Sequence, residues 1–307
     1  MISQDAESPS HSARVLDQIR LGTLVCPRSR KPLIVKEKHL TTADGGQRYE
    51  FLGNVPILLA NREAAEQYVN ASQEMVMAYQ STAAPRGLVG RLRRGLDRAL
   101  RRDFRTDASV RACRDLFDSQ VPNSVCISIG GGPERCHPRL INLNIGPFPN
   151  VDVVADAHEL PYADNSVDAI HCEAVLEHLK FPSDAVKEMY RVLKPGGRAF
   201  VVTPFLAAYH GYPHHYQNFT LTGHKHLFES NRFKVVDHGV CVGPVVALTD
   251  LMGQFVRYFC PLGLGRIAHL CWRLLVLPFR PLDIILNTRK EAYRLAATTY
   301  LVGLKES

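Results

Sequence analysis

Paired cysteines are missing from this chain. Its eight cysteines (Cys26, Cys113, Cys126, Cys136, Cys172, Cys241, Cys260 and Cys271) stand singly, with no C-x-x-C pair and no close, even spacing. That excludes a dense disulfide framework and reads as reduced thiols in a cytoplasmic protein. An uninterrupted apolar run of membrane-spanning length is missing too. Even the greasy stretch from Leu262 to Leu286 is cut by Arg266, Arg273, Pro278, Arg280 and Pro281, so a spanning helix is not expected. The first twenty residues are polar and carry acids, without the basic start and apolar core of a signal peptide. No internal repeat and no segment of low complexity is visible.

What is present is enough for a full α/β domain and an appendage: 307 residues, 46% of them hydrophobic. The net charge of +7 is uneven, because Arg86, Arg91, Arg93, Arg94, Arg98, Arg101, Arg102 and Arg105 crowd one short segment. Such a patch suits phospholipid, sugar phosphate or nucleic acid, and charge alone does not choose among these or a merely solvated helix face.

Read along the chain, residues 1–20 form a polar tail expected to be disordered. Residues 21–62 alternate short β-branched runs with Asp44-Gly45-Gly46 and Gly53-Asn54-Val55-Pro56 punctuation, the pattern of a small antiparallel module. Cys26 has no cysteine partner nearby, so it reads as a packed small hydrophobe and not as a zinc ligand. Residues 63–120 read as a helical linker in which Leu88, Leu92, Leu96, Leu100 and Phe104 recur every four positions between arginines, an amphipathic basic helix. From 121 to 307 short apolar strands alternate with loops and helices, the signature of a parallel sheet. A helical, apolar insertion is expected at about 245–297, before a final strand at Thr298–Leu304.

The most informative stretches are VCISIGGGPERC, NVDVVADAHELPYADNSVDAIHCEAVLEHL and EMYRVLKPGGRAFVVTPF. Together they resemble class I methyltransferases that use S-adenosylmethionine. The resemblance implies a Rossmann-like seven-stranded α/β sheet whose cofactor lies beyond the carboxyl ends of the strands. Gly130, Gly131 and Gly132 would let the backbone approach the ligand. Asp156 and Ala157 would hold the adenine, and Glu173 and His178 would lie at the rim. Three positions depart from the family: Ser128 and Asn144 stand where acids are usual, Glu134 stands where a third glycine is common, and an amide binds a ribose diol without charge assistance. About ten residues separate the first two strands, too few for a crossover helix. Residues 21–62 similarly resemble the small ribbon module of the tRNA-methyltransferase activator family.

The segment PFLAAYHGYPHHYQNFT follows the fifth core strand. Its H-G-Y-P-H run resembles that of a bacterial methyltransferase subgroup associated with cell-surface saccharides or specialised metabolism. An alcohol acceptor needs a base, and histidine titrates near neutrality. His210, His214 and His215 are therefore the catalytic candidates, with His178, Tyr209, Tyr212 and Tyr216 as acceptor-binding candidates; packing stays open as the role of each. No carboxylate lies near His210 and His214 in sequence, so no metal is expected.

The expectation is O-methylation of a saccharide or small-molecule hydroxyl. Methylation of RNA or protein and a non-catalytic, methyltransferase-fold partner subunit remain open alternatives. The insertion pairs apolar faces with arginines, as interfacial helices do at an anionic membrane; a lid or a homodimer interface is the other reading.

Overall fold

The computed structural model describes residues 10–60, 104–132, 135–210, 214–261 and 263–307. The helix expected at 64–80, the arginine-rich helix up to Arg102, and Tyr212 lie outside them. Ser10 accepts from the Ala13 N–H and starts α1 (His11–Arg20), whose Val15 and Ile19 are buried. The disordered tail expected over 1–20 is corrected from Ser10 onward: Val15 and Ile19, one helical turn apart, seat this helix on the core.

Strands β1 (Leu33–Val35), β2 (His39–Thr42), β3 (Arg48–Leu52) and β4 (Val55–Leu58) form an antiparallel meander. The expected turn at Asp44 is held by its carboxylate, which accepts from the Thr42 hydroxyl at 2.6 Å and the Gly46 N–H at 3.1 Å. Cys26 is buried, as read, against the Tyr49 hydroxyl at 3.1 Å. Helix α2 (Asp107–Asp118), capped by Thr106, precedes the core strands. These are β5 (Cys126–Ile129), β6 (Leu140–Asn144), β7 (Val153–Ala155) and β8 (Val167–Glu173). Helix α3 (Pro182–Val192) and strand β9 (Leu193–Pro204) follow, then α4 (Leu221–Glu229), β10 (Lys234–Val242), α5 (Pro244–Phe259), α6 (Gly265–Val276), the short α7 (Asp283–Leu286) and β11 (Thr298–Leu304).

Among the described residues all eleven strands join one sheet, in the order β1-β2-β3-β4-β7-β6-β5-β8-β9-β11-β10. The seven from β7 to β10 are parallel except β11, which runs antiparallel to both neighbours. The module expected at 21–62 is not set apart, because β4 pairs in parallel with β7 through Ile57–Val154 and Leu58–Ala155.

Two connections between parallel strands show no helix among their described residues. Between β5 and β6 the chain crosses through residues 130–139, stapled by Arg135 to Asp152 at 2.7 and 3.0 Å. Between β7 and β8 it crosses through residues 156–166, and the amino-terminal segment covers that face instead. The Val25 N–H donates to Pro161 O at 2.9 Å, the Ala163 N–H to Thr23 O at 3.0 Å, and the fully buried Tyr162 donates its hydroxyl to Gln18 at 3.0 Å. One core layer thus gathers Val15, Ile19, Ile127, Ile141, Val186 and Met189. The opposite layer gathers Leu116, Phe117, Phe200, Val246 and Tyr300.

Candidate active site

The carboxyl ends of β5, β6, β7, β8 and β9 share one rim, and most of the sequence-predicted residues lie along it. Gly130 turns the chain with φ of +75°, and a Cβ there would meet Val175 Cγ2 at 2.1 Å. A Cβ on Gly131 would meet the Asn142 side chain at 2.6 Å. Packing therefore already requires both glycines. Gly132 differs: a Cβ there would find none of the described residues within 4 Å, so the space beside it can admit a ligand.

Asn144 closes this loop. Its amide donates to Gly131 O at 3.1 Å and its carbonyl accepts from the Gly146 N–H at 3.1 Å. One amide hydrogen and one carbonyl lone pair remain for a diol. Asp156 follows β7, and its Oδ1 takes the His158 N–H at 2.9 Å and His158 Nδ1 at 2.7 Å. Burial pushes the Asp156 carboxyl up, but the bonds and charge of His158 hold it below its ordinary value, so it stays an acceptor. Its hydrogen bond to Asp156 raises the His158 imidazole in turn, against burial. Ala157 is nearly buried beside it. The residues present fit a nucleoside ligand: open backbone at Gly132, an amide at Asn144 and a carboxylate at Asp156.

Ser128 and Glu173 do other work. Ser128 points away from the rim, into the layer under α2, where its hydroxyl lies 3.1 Å from His171 Nδ1. His171 Nε2 lies 3.6 Å from Glu173, and Arg105 grips the same carboxylate with both terminal nitrogens. Burial works against charge on both partners. It is outweighed by Cys136 and Glu173, which raise His171 to about 9, and by His171 and Arg105, which lower Glu173 to about 2.

The histidine segment folds back over the turn that follows β8. The Tyr216 N–H donates to Glu177 O at 2.8 Å, and the Gln217 side chain donates to Leu179 O at 3.3 Å. This brings His178 and His210 to the two sides of Glu177, with Nε2 at 3.8 and 3.7 Å from its Oε1. Glu177 is fully buried, and neither carboxylate oxygen has a hydrogen-bond partner among the described residues. The nearby Glu177 carboxylate raises the His210 imidazole above its ordinary value, against burial. His215 braces His210: its Nδ1 accepts the His210 N–H at 3.2 Å and its Nε2 donates to Asn218 at 2.7 Å. Tyr209 is exposed and stacks on His215, while His214 points outward beside Tyr216.

Of the predicted residues, then, His178, His210 and His215 come together, and His214 and Tyr209 stand at the edge. Glu177 was missed by sequence reasoning. Its signal was slight, a lone acid next to His178 in the turn after the fourth core strand. A cavity of about 300 Å³ bounded by Thr106, Leu221, His238, Tyr293 and Tyr300 lies elsewhere, on the β10–β11 side.

A family model described as a methyltransferase domain matches residues 139–201, which run from the start of β6 into β9. With the strand order and the single antiparallel strand, this decides the fold. The core is a class I methyltransferase fold. Among curated proteins, the ubiquinone/menaquinone biosynthesis C-methyltransferase of Klebsiella pneumoniae is 41% identical over 80 residues, 24% of this chain and 32% of that protein. The chain thus spans about a third of the length of the curated relatives it matches. Among solved structures, a Haemonchus contortus phosphoethanolamine N-methyltransferase with S-adenosylhomocysteine aligns at a TM-score of 0.40 and 13% identity, covering 65% of this chain and 53% of that one. A complex of the Haloferax volcanii Trm112 methyltransferase activator with a methyltransferase aligns at 0.38 and 15%, covering 69% and 88%.

Proposed function

We propose that this methyltransferase core moves a methyl group from S-adenosylmethionine to a hydroxyl of a saccharide or other small acceptor, in the cytoplasm. Bound at Gly132, Asn144, Asp156 and Ala157, the cofactor supplies an electrophilic methyl on a sulfonium. The protein's tasks are to align acceptor and donor and to let the acceptor shed its proton. One observation carries the reading: the buried Glu177 carboxylate, without a hydrogen-bond partner among the described residues, faces two imidazole nitrogens at the carboxyl ends of β8 and β9, where an acceptor would meet the cofactor. That cluster joins negative charge to nitrogen lone pairs, and His210 is its exposed, reachable member.

The reading is tested by product formation with hydroxyl acceptors alongside calorimetry with S-adenosylmethionine. His210→Ala should leave cofactor affinity within about twofold and lower kcat by about 10² to 10⁴. Asp156→Ala should do the reverse, weakening the cofactor first. No binding of S-adenosylmethionine by the intact chain sinks the enzyme reading. A rise in KM alone in His210→Ala marks that residue as an acceptor clamp.

We also infer that the α5–α7 insertion rests on an anionic membrane surface. No helix among the described residues is long and apolar enough to cross a membrane. The insertion nonetheless exposes Phe255, Phe259, Ile267, Leu275, Ile284 and Ile285, with Arg257, Arg266, Arg289 and Lys290 exposed on the same segment.

A further inference from the structure

We propose that Glu177, His178 and His210 form a binding site for one divalent transition-metal ion of the Zn²⁺ type. The inference goes beyond the methyl-transfer reading and stands whichever atom is methylated. Among the described residues these three offer ligand atoms that all lie within 4.8 Å of one another.

The histidines are set as metal ligands are set. His178 Nδ1 lies 2.6 Å from His214 O, and His210 Nδ1 lies 2.9 Å from Ala208 O. A carbonyl only accepts, so each Nδ1 carries the proton and each Nε2 presents a lone pair. Fixing the far ring nitrogen on a backbone carbonyl is the usual way a protein orients a metal-binding imidazole. Both Nε2 atoms face the same Glu177 oxygen, at 3.8 and 3.7 Å. That is too long for a hydrogen bond. It is close to the spacing of about 3.3 Å between ligands that sit about 2.0–2.1 Å from a tetrahedral ion.

The carboxylate is the independent sign. Glu177 is 0% exposed and neither oxygen is hydrogen-bonded to any of the described residues. Burying such a group without a hydrogen-bond partner is costly, and buried charges are normally paired or coordinate metals. Two protonated imidazoles at these distances would screen it only in part, whereas one ion would bond the carboxylate and both lone pairs. His215 is not a fourth ligand, because both its ring nitrogens are engaged with His210 and Asn218. Two imidazoles and a carboxylate leave an open position, as in catalytic zinc sites. An acceptor hydroxyl bound there would ionise more readily, as metal-bound water does.

The test uses the intact, untagged chain, stripped with a chelator and titrated with Co²⁺ and Zn²⁺ in the absence of S-adenosylmethionine. Wild type should take up one equivalent, show the visible absorption of low-coordinate Co²⁺, and melt at a higher temperature with metal. Glu177→Gln keeps the shape and removes the charge; His210→Ala alters a half-exposed side chain. Each should weaken Co²⁺ binding at least tenfold, and His214→Ala should not. The proposal is overturned if wild type takes up no stoichiometric ion, or if binding survives Glu177→Gln and His210→Ala but is lost in His214→Ala, the mark of adventitious surface histidines. Calorimetry with S-adenosylmethionine on the same stripped protein separates this outcome from failure of the methyltransferase reading.

Discussion

Three consecutive glycines divide their work once the space around each is known. A valine at Gly131 would press on the buried Asn142 side chain, and overpacking of this kind costs about 1–3 kcal/mol. Gly131→Val should therefore lower the melting temperature even without ligand. Gly132→Ala meets none of the described residues within 4 Å. It should leave the melting temperature of the free protein unchanged and weaken S-adenosylmethionine in calorimetry, and unchanged affinity would move the ligand away from this backbone. The buried His171 and the half-buried Glu173 together set a pH window. Glu173, lowered to about 2 from 4.5, contributes stability that is full above its ordinary value and lost as pH falls toward 2. His171, raised to about 9 from 6.5, contributes stability that is full below 6.5 and lost as pH rises through 9. His171→Gln should thus lower the melting temperature most near about pH 6 and least near about pH 9.5. A deficit that is constant with pH removes the ionic account of the pair. Ser128 and Glu173 were legible as departures or candidates in the sequence, but their partners were not, because His171 and Arg105 reach them only through the folded sheet.

At the scale of elements, α1 and the β1–β4 meander stand in for a crossover helix between β7 and β8. Arg30 fastens them. It donates to Leu160 O at 2.7 Å and to Glu188 at 3.1 Å, while Arg191 holds the other oxygen of that carboxylate at 2.7 Å. Glu188 also accepts the Leu160 N–H at 2.9 Å. Glu188→Ala leaves the Leu160 N–H without its acceptor and takes one acceptor from each of two guanidinium groups, and a buried donor left unmet costs about 1–3 kcal/mol. Limited proteolysis should then cut near residues 21–32 sooner than in wild type, with the core fragment persisting; an unchanged cleavage pattern means that β4–β7 pairing alone holds the module. The core strands were legible because parallel strands buried on both faces read as short apolar runs between turn signals. The short link between β5 and β6 was legible from chain length alone. The placing of α1 was not, since Val15 and Ile19 join a core layer whose other members, Ile127 and Ile141 among them, lie far along the chain. Nor was the meeting of Glu177 with His210, which depends on the Tyr216 N–H docking a later loop on an earlier turn.

On the whole molecule, charge and apolar exposure coincide on the insertion. Phe255 and Phe259 stack with ring centres 5.1 Å apart and are 57% and 73% exposed. Arg257, one residue beyond Val256 on the same helix, lies over the Tyr258 ring at 5.5 Å. Water is a poor neighbour for so many large side chains, and exposed apolar groups interspersed with cations suit an interaction surface. The cations favour lipid over a second copy of the chain, because two such faces would bring arginine against arginine, whereas anionic headgroups attract each basic residue by about 1 kcal/mol. The protein should float with vesicles containing phosphatidylserine or phosphatidylglycerol and not with neutral ones at low salt. Binding should weaken as salt shortens the reach of the charges. The double substitution Phe255→Asp and Phe259→Asp should abolish flotation without lowering the melting temperature, since both rings face outward in the free protein. Flotation that ignores lipid charge leaves burial of the apolar face as the driving force and removes the arginines from the account. If vesicles of either kind fail to bind, and sedimentation shows a dimer that the same double substitution dissolves, the face belongs to a second copy and the membrane reading falls.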